Sequence, residues 1–135
     1  MSIFYNRVER INPQDKTAPK KWYATLKTIR QVREKEVAKL VADETTMDRK
    51  EVEMALDRFE QILIRLLLDG HSVQLGDWGS FYLTCNSAAS DTKAEVTASN
   101  IKNLNIRFSP GVELTDALKH ATFIAAETLV STPTK

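Results

Sequence analysis

Basic side chains carry the most recognisable chemistry in this sequence, and they form two groups. The denser group lies within residues 20–33 and is interleaved with Trp22 and Tyr23. Its members are Lys20, Lys21, Lys27, Arg30 and Arg33. The second group is spread over residues 93–107 and consists of Lys93, Lys102 and Arg107. Cations of this kind neutralise phosphate groups, so either group could form a nucleic-acid surface. An ordinary solvated charged surface is the alternative for both.

Residue types that serve catalysis or metal binding are sparse and scattered. His71 and His120 are isolated from acidic or cysteine partners at ligand spacing. Cys85 is the single cysteine, so it forms no internal disulfide and is expected to act as a small apolar residue. No nucleophile, base and orienting group can be assembled, and no glycine-rich phosphate loop occurs. We therefore expect no enzyme, no metal, no cofactor and no small-molecule substrate.

Length and composition favour one globular domain with a small extension. The chain has 135 residues, 42% of them hydrophobic, which is enough to build a core. Its formal net charge is only +1, so any nucleic-acid site must be a local patch. Neither a signal-peptide core nor a membrane-spanning apolar run is recognisable. We expect a cytoplasmic protein that does not contact a membrane.

Hydrophobic periodicity predicts two strands followed by two helices. Residues 3–11 and 21–29 read as strands that form a hairpin, and residues 31–43 and 48–69 read as helices. Asp48 and Glu51 have the spacing of a capping box. The longer helix has an apolar stripe made of Val52, Ala55, Leu56, Phe59, Ile62, Leu63, Leu66 and Leu67. Met54, Ile64 and Leu68 lie off this stripe, which indicates that another chain covers them.

A glycine-rich corner separates the helices from the rest of the chain. Gly70 is placed to end the helix, and Gly76 and Gly79 flank Trp78, whose expected role is packing. Strand is predicted at 81–85, an exposed turn at 86–93, a possible further strand at 95–97 and an extended segment at 101–108. Ser109 is predicted to cap a last helix with Pro110 in its first turn. Free amides at that helix start could bind a phosphate; a plain helix cap is the alternative. The apolar face of this last helix is Leu114, Ala117, Leu118 and Ala121, and a frayed tail is expected from residue 131.

Residues 31–121 resemble the bacterial histone-like HU and integration-host-factor family. Three motifs in this order carry the resemblance: the helix start from Thr45 to Glu51, the segment from Gly70 to Phe81, and Phe108-Ser109-Pro110-Gly111 with Leu114. The added N-terminal segment is similar to an HU-like branch that carries such an extension. The resemblance implies an α+β fold, with a helical hairpin, an antiparallel sheet with a protruding strand-pair arm, and a C-terminal helix. It also implies an intertwined homodimer.

The resemblance assigns expected roles to several parts of the chain. Residues 1–30 would be a β extension, 31–125 the HU-like DNA-binding domain and 126–135 a flexible tail. The expected partners are duplex DNA and a second copy of the chain, in the nucleoid. The DNA-binding candidates are Lys93, Lys102, Arg107, Ser109, Gly111, Lys20, Lys21, Lys27 and Arg30. The candidates for the dimer core are Val52, Leu56, Phe59, Ile62, Leu63, Leu66, Phe81 and Phe108.

The arm departs from the family pattern at its tip. No proline and no arginine occur between Asn86 and Leu104, and Asp91 and Glu95 oppose the arm lysines. Sharp bending of DNA by a proline wedge is therefore not expected. The main hypothesis is a histone-like protein that contacts the backbone and minor groove of duplex DNA with little sequence specificity. The alternative is an HU-like scaffold or protein-interaction module with weak or no DNA binding.

Overall fold

The computed structural model describes residues 1–129, which group into two units. The terminal unit contains residues 1–32 together with the described residues from Leu118 onward, and the central unit contains Arg33–Ala117. The strands and helices are β1 (Ile3–Arg10), β2 (Lys21–Lys27), α1 (Glu34–Asp43), α2 (Arg49–Leu68), β3 (Val73–Gln74), β4 (Gly79–Ser87), β5 (Ile101–Pro110), α3 (Val112–Leu118) and β6 (Phe123–Ala125).

The terminal unit is a three-stranded sheet with the order β2-β1-β6. The predicted hairpin of β1 and β2 is confirmed: the strands are antiparallel, with Tyr5 opposite Leu26. β6 pairs parallel to β1, with Phe4 opposite Ile124. The Thr122 hydroxyl strengthens this closure by donating to the Met1 carbonyl at 2.7 Å. Chain segments about 120 positions apart therefore meet in one sheet.

The two units divide the chain differently from the predicted domains, which were residues 1–30, 31–125 and 126–135. Residues 118–125 were expected in the HU-like domain, but they group with the N-terminal strands because β6 pairs with β1. Ala126–Leu129 form a one-turn 3-10 helix in which Ala126 is buried, although a flexible tail was predicted from residue 126. Residues 130–135 of that predicted tail lie outside the described residues.

The central unit begins with the two predicted helices. α1 starts at Glu34 rather than near residue 31, because Arg33 is extended and serves as the N-cap. α2 begins with the predicted capping box, in which the Asp48 amide donates to Glu51 Oε2 at 3.0 Å. It ends in a Schellman motif: the amide of Gly70 (φ +89°) donates to the Leu67 carbonyl, and that of His71 donates to the Leu66 carbonyl.

After α2, the chain builds a second sheet with the order β3-β4-β5. Gly76–Trp78 form a one-turn 3-10 helix, and the Leu75 amide donates to the Gly79 carbonyl at 2.8 Å. This turn ends β3 and starts β4 within a few residues. We call β4 and β5 together the ribbon, and the connecting residues 88–100 the tip.

Two local predictions in and after the ribbon were wrong. Residues 95–97 do not form a strand, because the tip contains two one-turn 3-10 helices, Lys93–Glu95 and Ala98–Asn100. Ser109 does not cap a helix, and Pro110 is not in a first turn. Both belong to β5, where Ser109 pairs with Ser80 and Pro110 with Gly79. Because β4 supplies pairing partners, β5 continues two residues beyond its predicted end at Phe108. α3 begins only at Val112 and ends at Leu118, so Ala121 lies beyond it.

Gly111 contacts the corner so closely that a side chain has no room there. Its amide donates to the Trp78 carbonyl at 2.9 Å. A Cβ on Gly111 would collide with the backbone carbonyl of Asp77 and would lie 3.0 Å from the Gly79 amide nitrogen. Both obstacles are backbone atoms, which cannot swing aside as a flexible side chain can. The start of α3 is thereby fixed against the 77–79 corner.

We predict that Gly111→Ala lowers the free energy of unfolding by about 1–3 kcal/mol, the usual cost of overpacking. Gly76→Ala is the control, because its φ of +55° imposes strain of about 1 kcal/mol on alanine, with no atom within 4 Å of the new Cβ. Urea denaturation measures both changes. A Gly111→Ala variant at least as stable as the Gly76→Ala variant would contradict the close approach.

Candidate nucleic-acid interface

The ribbon has one apolar face and one polar face, set by its antiparallel register. Phe81 is paired with Phe108 and Leu83 with Ile106, and because side chains alternate along a strand these four share a face. The other face carries three cross-strand pairs: Ser80 with Ser109, Tyr82 with Arg107, and Thr84 with Asn105. The ribbon can therefore offer a hydrogen-bonding surface on one side while its other side packs on apolar groups.

Trp78 stiffens the base of the ribbon by packing on its apolar face. Its ring meets Phe81 edge-on at a centroid distance of 6.4 Å and Phe108 at 6.2 Å, and the two phenylalanine rings are 5.0 Å apart. This cluster agrees with the packing role predicted for Trp78 and accounts for an aromatic residue between two glycines.

The three arm cations occupy different positions along the ribbon. Arg107 lies on the polar face opposite Tyr82, and Lys102 pairs with Asn86 beyond a bulge in β5, where Asn103 and Leu104 lie opposite Cys85. Lys93 lies in the first 3-10 turn of the tip. All three side chains are exposed, so they are available to an anion approaching the ribbon.

Ser109 and Gly111, the two uncharged binding candidates, have unequal positions. Ser109 is exposed on the polar face of the ribbon, two residues from Arg107 on the same strand. Both side chains can therefore contact one phosphate. The Gly111 amide instead donates to the Trp78 carbonyl, so it is not the free amide that the phosphate hypothesis required. With only seven residues, α3 has too short a dipole to supply an anion site of its own.

Asn100 organises the tip, and sequence reasoning did not identify it. Its side chain is only 9% exposed, and its Nδ2 donates to the Ala88 carbonyl and to Ser90 Oγ, both at 2.9 Å. Its Oδ1 accepts the Thr97 amide at 2.9 Å. The predicted exposed turn is therefore a folded cap that holds Lys93 at the end of the ribbon. The available signal was Thr97 followed three residues later by Asn100, which has the spacing of a capping box.

The N-terminal candidates lie in the terminal unit. Lys21 and Lys27 are the first and last residues of β2. Lys20 immediately precedes this strand, whereas Arg30 follows it in the segment leading to α1. Arg33 is the N-cap of α1 and belongs to the central unit. The group that is dense in the sequence is thus divided between the two units.

A single chain leaves most of the predicted dimer core incompletely covered. Val52 is buried, but Leu56, Phe59, Leu63, Leu66 and Phe81 are only partly buried. Ile62 and Phe108 are exposed. Apolar residues off the main stripe of α2 are more open still: Met54 is 69%, Ile64 44% and Leu68 70% exposed. An apolar groove between α2 and the ribbon is lined by Ile64, Leu68, Leu83, Leu104 and Ile106.

The near-neutral net charge conceals opposite charges on the two units. Residues 1–32 and 118–129 contain eight Lys and Arg against three Asp and Glu, a net +5. The central unit contains ten against fifteen, a net −5. Acidic crowding is evident between α1 and α2: a hydrogen bond with Asp57, and then its charge, raise the pKa of Glu34 above the usual range.

Within the described residues 1–129, no group of three His, Cys, Asp or Glu is placed to hold a metal ion. Nor does that part of the chain include a helix with the length and apolar character needed to cross a membrane.

Comparison with protein families identifies the chain's relatives. Residues 1–125 match the family HU-HIG, described as an HU domain fused to a winged helix-turn-helix, an immunoglobulin-like or a glycine-rich motif. The chain belongs to the HU-HIG family. The match includes β1 and β2, so the added N-terminal strands are part of the family's domain. No curated protein shows significant sequence similarity to this HU-HIG chain.

Solved structures that share the fold include two DNA-binding or DNA-bound bacterial proteins. One is a candidate bacterial DNA-binding protein from Bacteroides vulgatus ATCC 8482, with 13% identity and a TM-score of 0.66 over 93% of this chain. The HU-HIG chain spans 48% of that protein. The other is Anabaena HU in a cocrystal with DNA, with 18% identity and a TM-score of 0.52 over 66% of this chain and 99% of that one. The predicted HU-like α+β fold is thereby confirmed.

We predict that Asn100→Ala unfolds the tip without unfolding the rest of the protein. Removing the Asn100 amide leaves its buried hydrogen-bond partners unpaired at a cost of about 1–3 kcal/mol, so the Thr97 amide should exchange its hydrogen roughly 5- to 160-fold faster. Asn86→Ala is the matched control, because Asn86 is exposed on β4 outside this network. Native-state hydrogen exchange is the measurement, with amides of α2 as an internal reference. Unchanged protection at Thr97 would show that Asn100 does not hold the tip.

Proposed function

We propose that this chain is a histone-like, DNA-binding protein that acts as a homodimer. It contacts the backbone and minor groove of duplex DNA with little sequence specificity, in the cytoplasm within the nucleoid. The observation that carries the proposal is the two-faced ribbon, which presents Arg107, Ser109 and Tyr82 on one polar surface. Support comes from the shared fold with Anabaena HU, whose structure was solved with DNA.

The chemistry of the ribbon favours backbone contacts over base reading. Lys93, Lys102 and Arg107 can neutralise phosphates, and hydroxyls such as that of Ser109 can donate to phosphate oxygens. The tip has neither proline nor arginine, and Asp91 and Glu95 reduce its positive charge. From this composition we expect the tip to bend DNA little, because it has no proline to insert between bases.

We predict that replacing Lys93, Lys102 and Arg107 together with Gln weakens binding to short DNA duplexes and lowers its salt dependence. Each phosphate contact contributes about 0.9 to the slope of log K against log salt, so six lost cations in a dimer lower it by about 5. Fluorescence anisotropy across a salt series measures this slope. The charge-matched control is Lys35, Lys39 and Lys50 replaced with Gln, all exposed on the helices.

The salt series also tests the proposal as a whole. Similar affinities for duplexes of unrelated sequence support low specificity. Absence of binding at low salt, or binding without salt dependence, would contradict DNA binding through phosphates.

Homodimer formation is proposed from the apolar surface that one chain leaves open. The groove formed by Ile64, Leu68, Leu83, Leu104 and Ile106 is also lined by Leu67, which belongs to the apolar stripe of α2. A second copy is the occupant we propose, because two-fold homodimers are the commonest oligomers and exposed apolar patches of this kind mark protein interfaces.

We predict that Leu68→Asp abolishes the dimer. In an isolated chain Leu68 is 70% exposed, so the change should lower the free energy of unfolding by less than about 0.5 kcal/mol. In a dimer that covers Leu68, it places an unpaired charge in an apolar interface. Gln74→Asp, at an exposed position of β3, is the control. Analytical ultracentrifugation and the concentration dependence of unfolding are the measurements. A wild-type monomer, or an unaltered Leu68→Asp dimer, would contradict the proposed interface.

The alternative is an HU-like scaffold or interaction module with weak or no DNA binding. The net charge of −5 on the central unit favours it, because phosphates are repelled by an acidic surface. The salt series separates the two functions, since a scaffold would dimerise without binding DNA.

A further inference from the structure

The strand register places three of the four cations of β1 and β2 on one face of the terminal sheet. Arg10 is opposite Lys21, Val8 opposite Tyr23 and Phe4 opposite Lys27, and alternation places these pairs on one face. We call this surface the basic face and define it by Arg10, Lys21, Tyr23 and Lys27. The opposite face carries the pairs Tyr5 with Leu26, Arg7 with Ala24 and Glu9 with Trp22.

The acidic residues of the described part of the terminal unit occupy none of the strand positions of the basic face. Glu9 is on the opposite face, and Glu127 Oε2 lies 3.7 Å from Arg7 Nη1, also on that face. Arg7 donates a hydrogen bond to Tyr5, and this bond and the charge of Glu127 raise the pKa of Arg7. Asp15 is in the loop between β1 and β2, where its carboxylate accepts the Thr17 amide at 3.0 Å. The strand positions of the basic face thus carry three cations and no acid.

The basic face also has a suitable shape for a phosphate. A cavity of about 410 Å³ lies at the hairpin end, and Arg10, Lys21 and Tyr23 line it together with loop residues that include Asn12 and Pro19. Tyr23 is 49% exposed, so its hydroxyl can donate to an anion held by the neighbouring cations.

We propose that the basic face is a second DNA-binding surface, which contacts the backbone of duplex DNA independently of the ribbon. This inference rests on the proposed function, because it takes duplex DNA as the ligand. Charge complementarity is the argument: the terminal unit has a net +5 and the central unit a net −5. Lys21 and Lys27 are about 20 Å apart along an extended strand, a length over which duplex DNA presents about 12 phosphates.

The face differs from the basic group seen in the sequence alone. Arg10 joins it from β1, although it is 11 positions from Lys21 in the chain. Lys20 and Arg30 lie outside the strands, and Trp22, which separates Lys21 from Tyr23 in the sequence, lies on the opposite face. The pairing of strands therefore selects which cations act together.

The test compares three variants of the full chain by the salt dependence of duplex binding. The sheet variant replaces Arg10, Lys21 and Lys27 with Gln; the ribbon variant replaces Lys93, Lys102 and Arg107; the control replaces Lys35, Lys39 and Lys50. Each removes three positive charges. We expect the sheet variant to reduce the steepness of the slope of log K against log salt by about 3 for each sheet that contacts DNA. The control should leave this slope unchanged. Circular dichroism confirms folding, and the smaller change Lys21→Gln with Lys27→Gln provides the same test if the triple variant is unstable.

The outcomes separate this inference from the proposed function. If the ribbon variant lowers the slope and the sheet variant does not, the basic face is not a DNA surface and the proposed function stands. If the sheet variant lowers it to the predicted extent, the inference is supported whatever the ribbon contributes. If the wild-type chain shows no salt-dependent binding, both fail.

Discussion

The backbone contact between Gly111 and the 77–79 corner constrains the rest of the central unit. The corner reverses the chain after α2. The Gly111 amide, directly after the C-terminal end of β5, binds the corner through the Trp78 carbonyl. Trp78, Phe81 and Phe108 then pack on one side of this junction. The direction of the ribbon is consequently set at its base, where β4 begins and β5 ends. A residue with a side chain at position 111 would move β5, the strand that carries both Arg107 and Ser109.

Asn100 has the corresponding role at the other end of the ribbon. A two-stranded ribbon without support is only marginally stable in water, and its end would normally fray. Here a buried amide joins Ala88, Ser90 and Thr97, which closes the tip on itself. A defined tip loses less conformational entropy on binding than a disordered loop. It can therefore position Lys93 even though that residue is far from the aromatic cluster at the base.

Local patterns predicted those elements whose stability is local. The capping box at Asp48, the glycine that ends α2 and the alternation of the first hairpin all depend on residues a few positions apart, and they were identified correctly. Errors occurred where distant pairing overrides a local signal. Ser109 and Pro110 look like a helix start but continue β5, because β4 supplies hydrogen-bonding partners. The β6 strand could not be predicted, because its three residues are stabilised only by β1. The same limit applies to the basic face, whose composition depends on the register that pairs Arg10 with Lys21.

Net charge alone is a poor guide to DNA binding in this chain. A bound phosphate responds mainly to charges within about 8 Å at physiological ionic strength, so a total of +1 says little about any one surface. The acidic surplus lies in the central unit, whose net charge is −5. The strand positions of the basic face carry no acid. A chain with separated charges can bind DNA through a local positive patch whatever its net charge is. The near-neutral charge that first favoured a scaffold is thus compatible with a DNA-binding protein whose contacts are confined to defined surfaces.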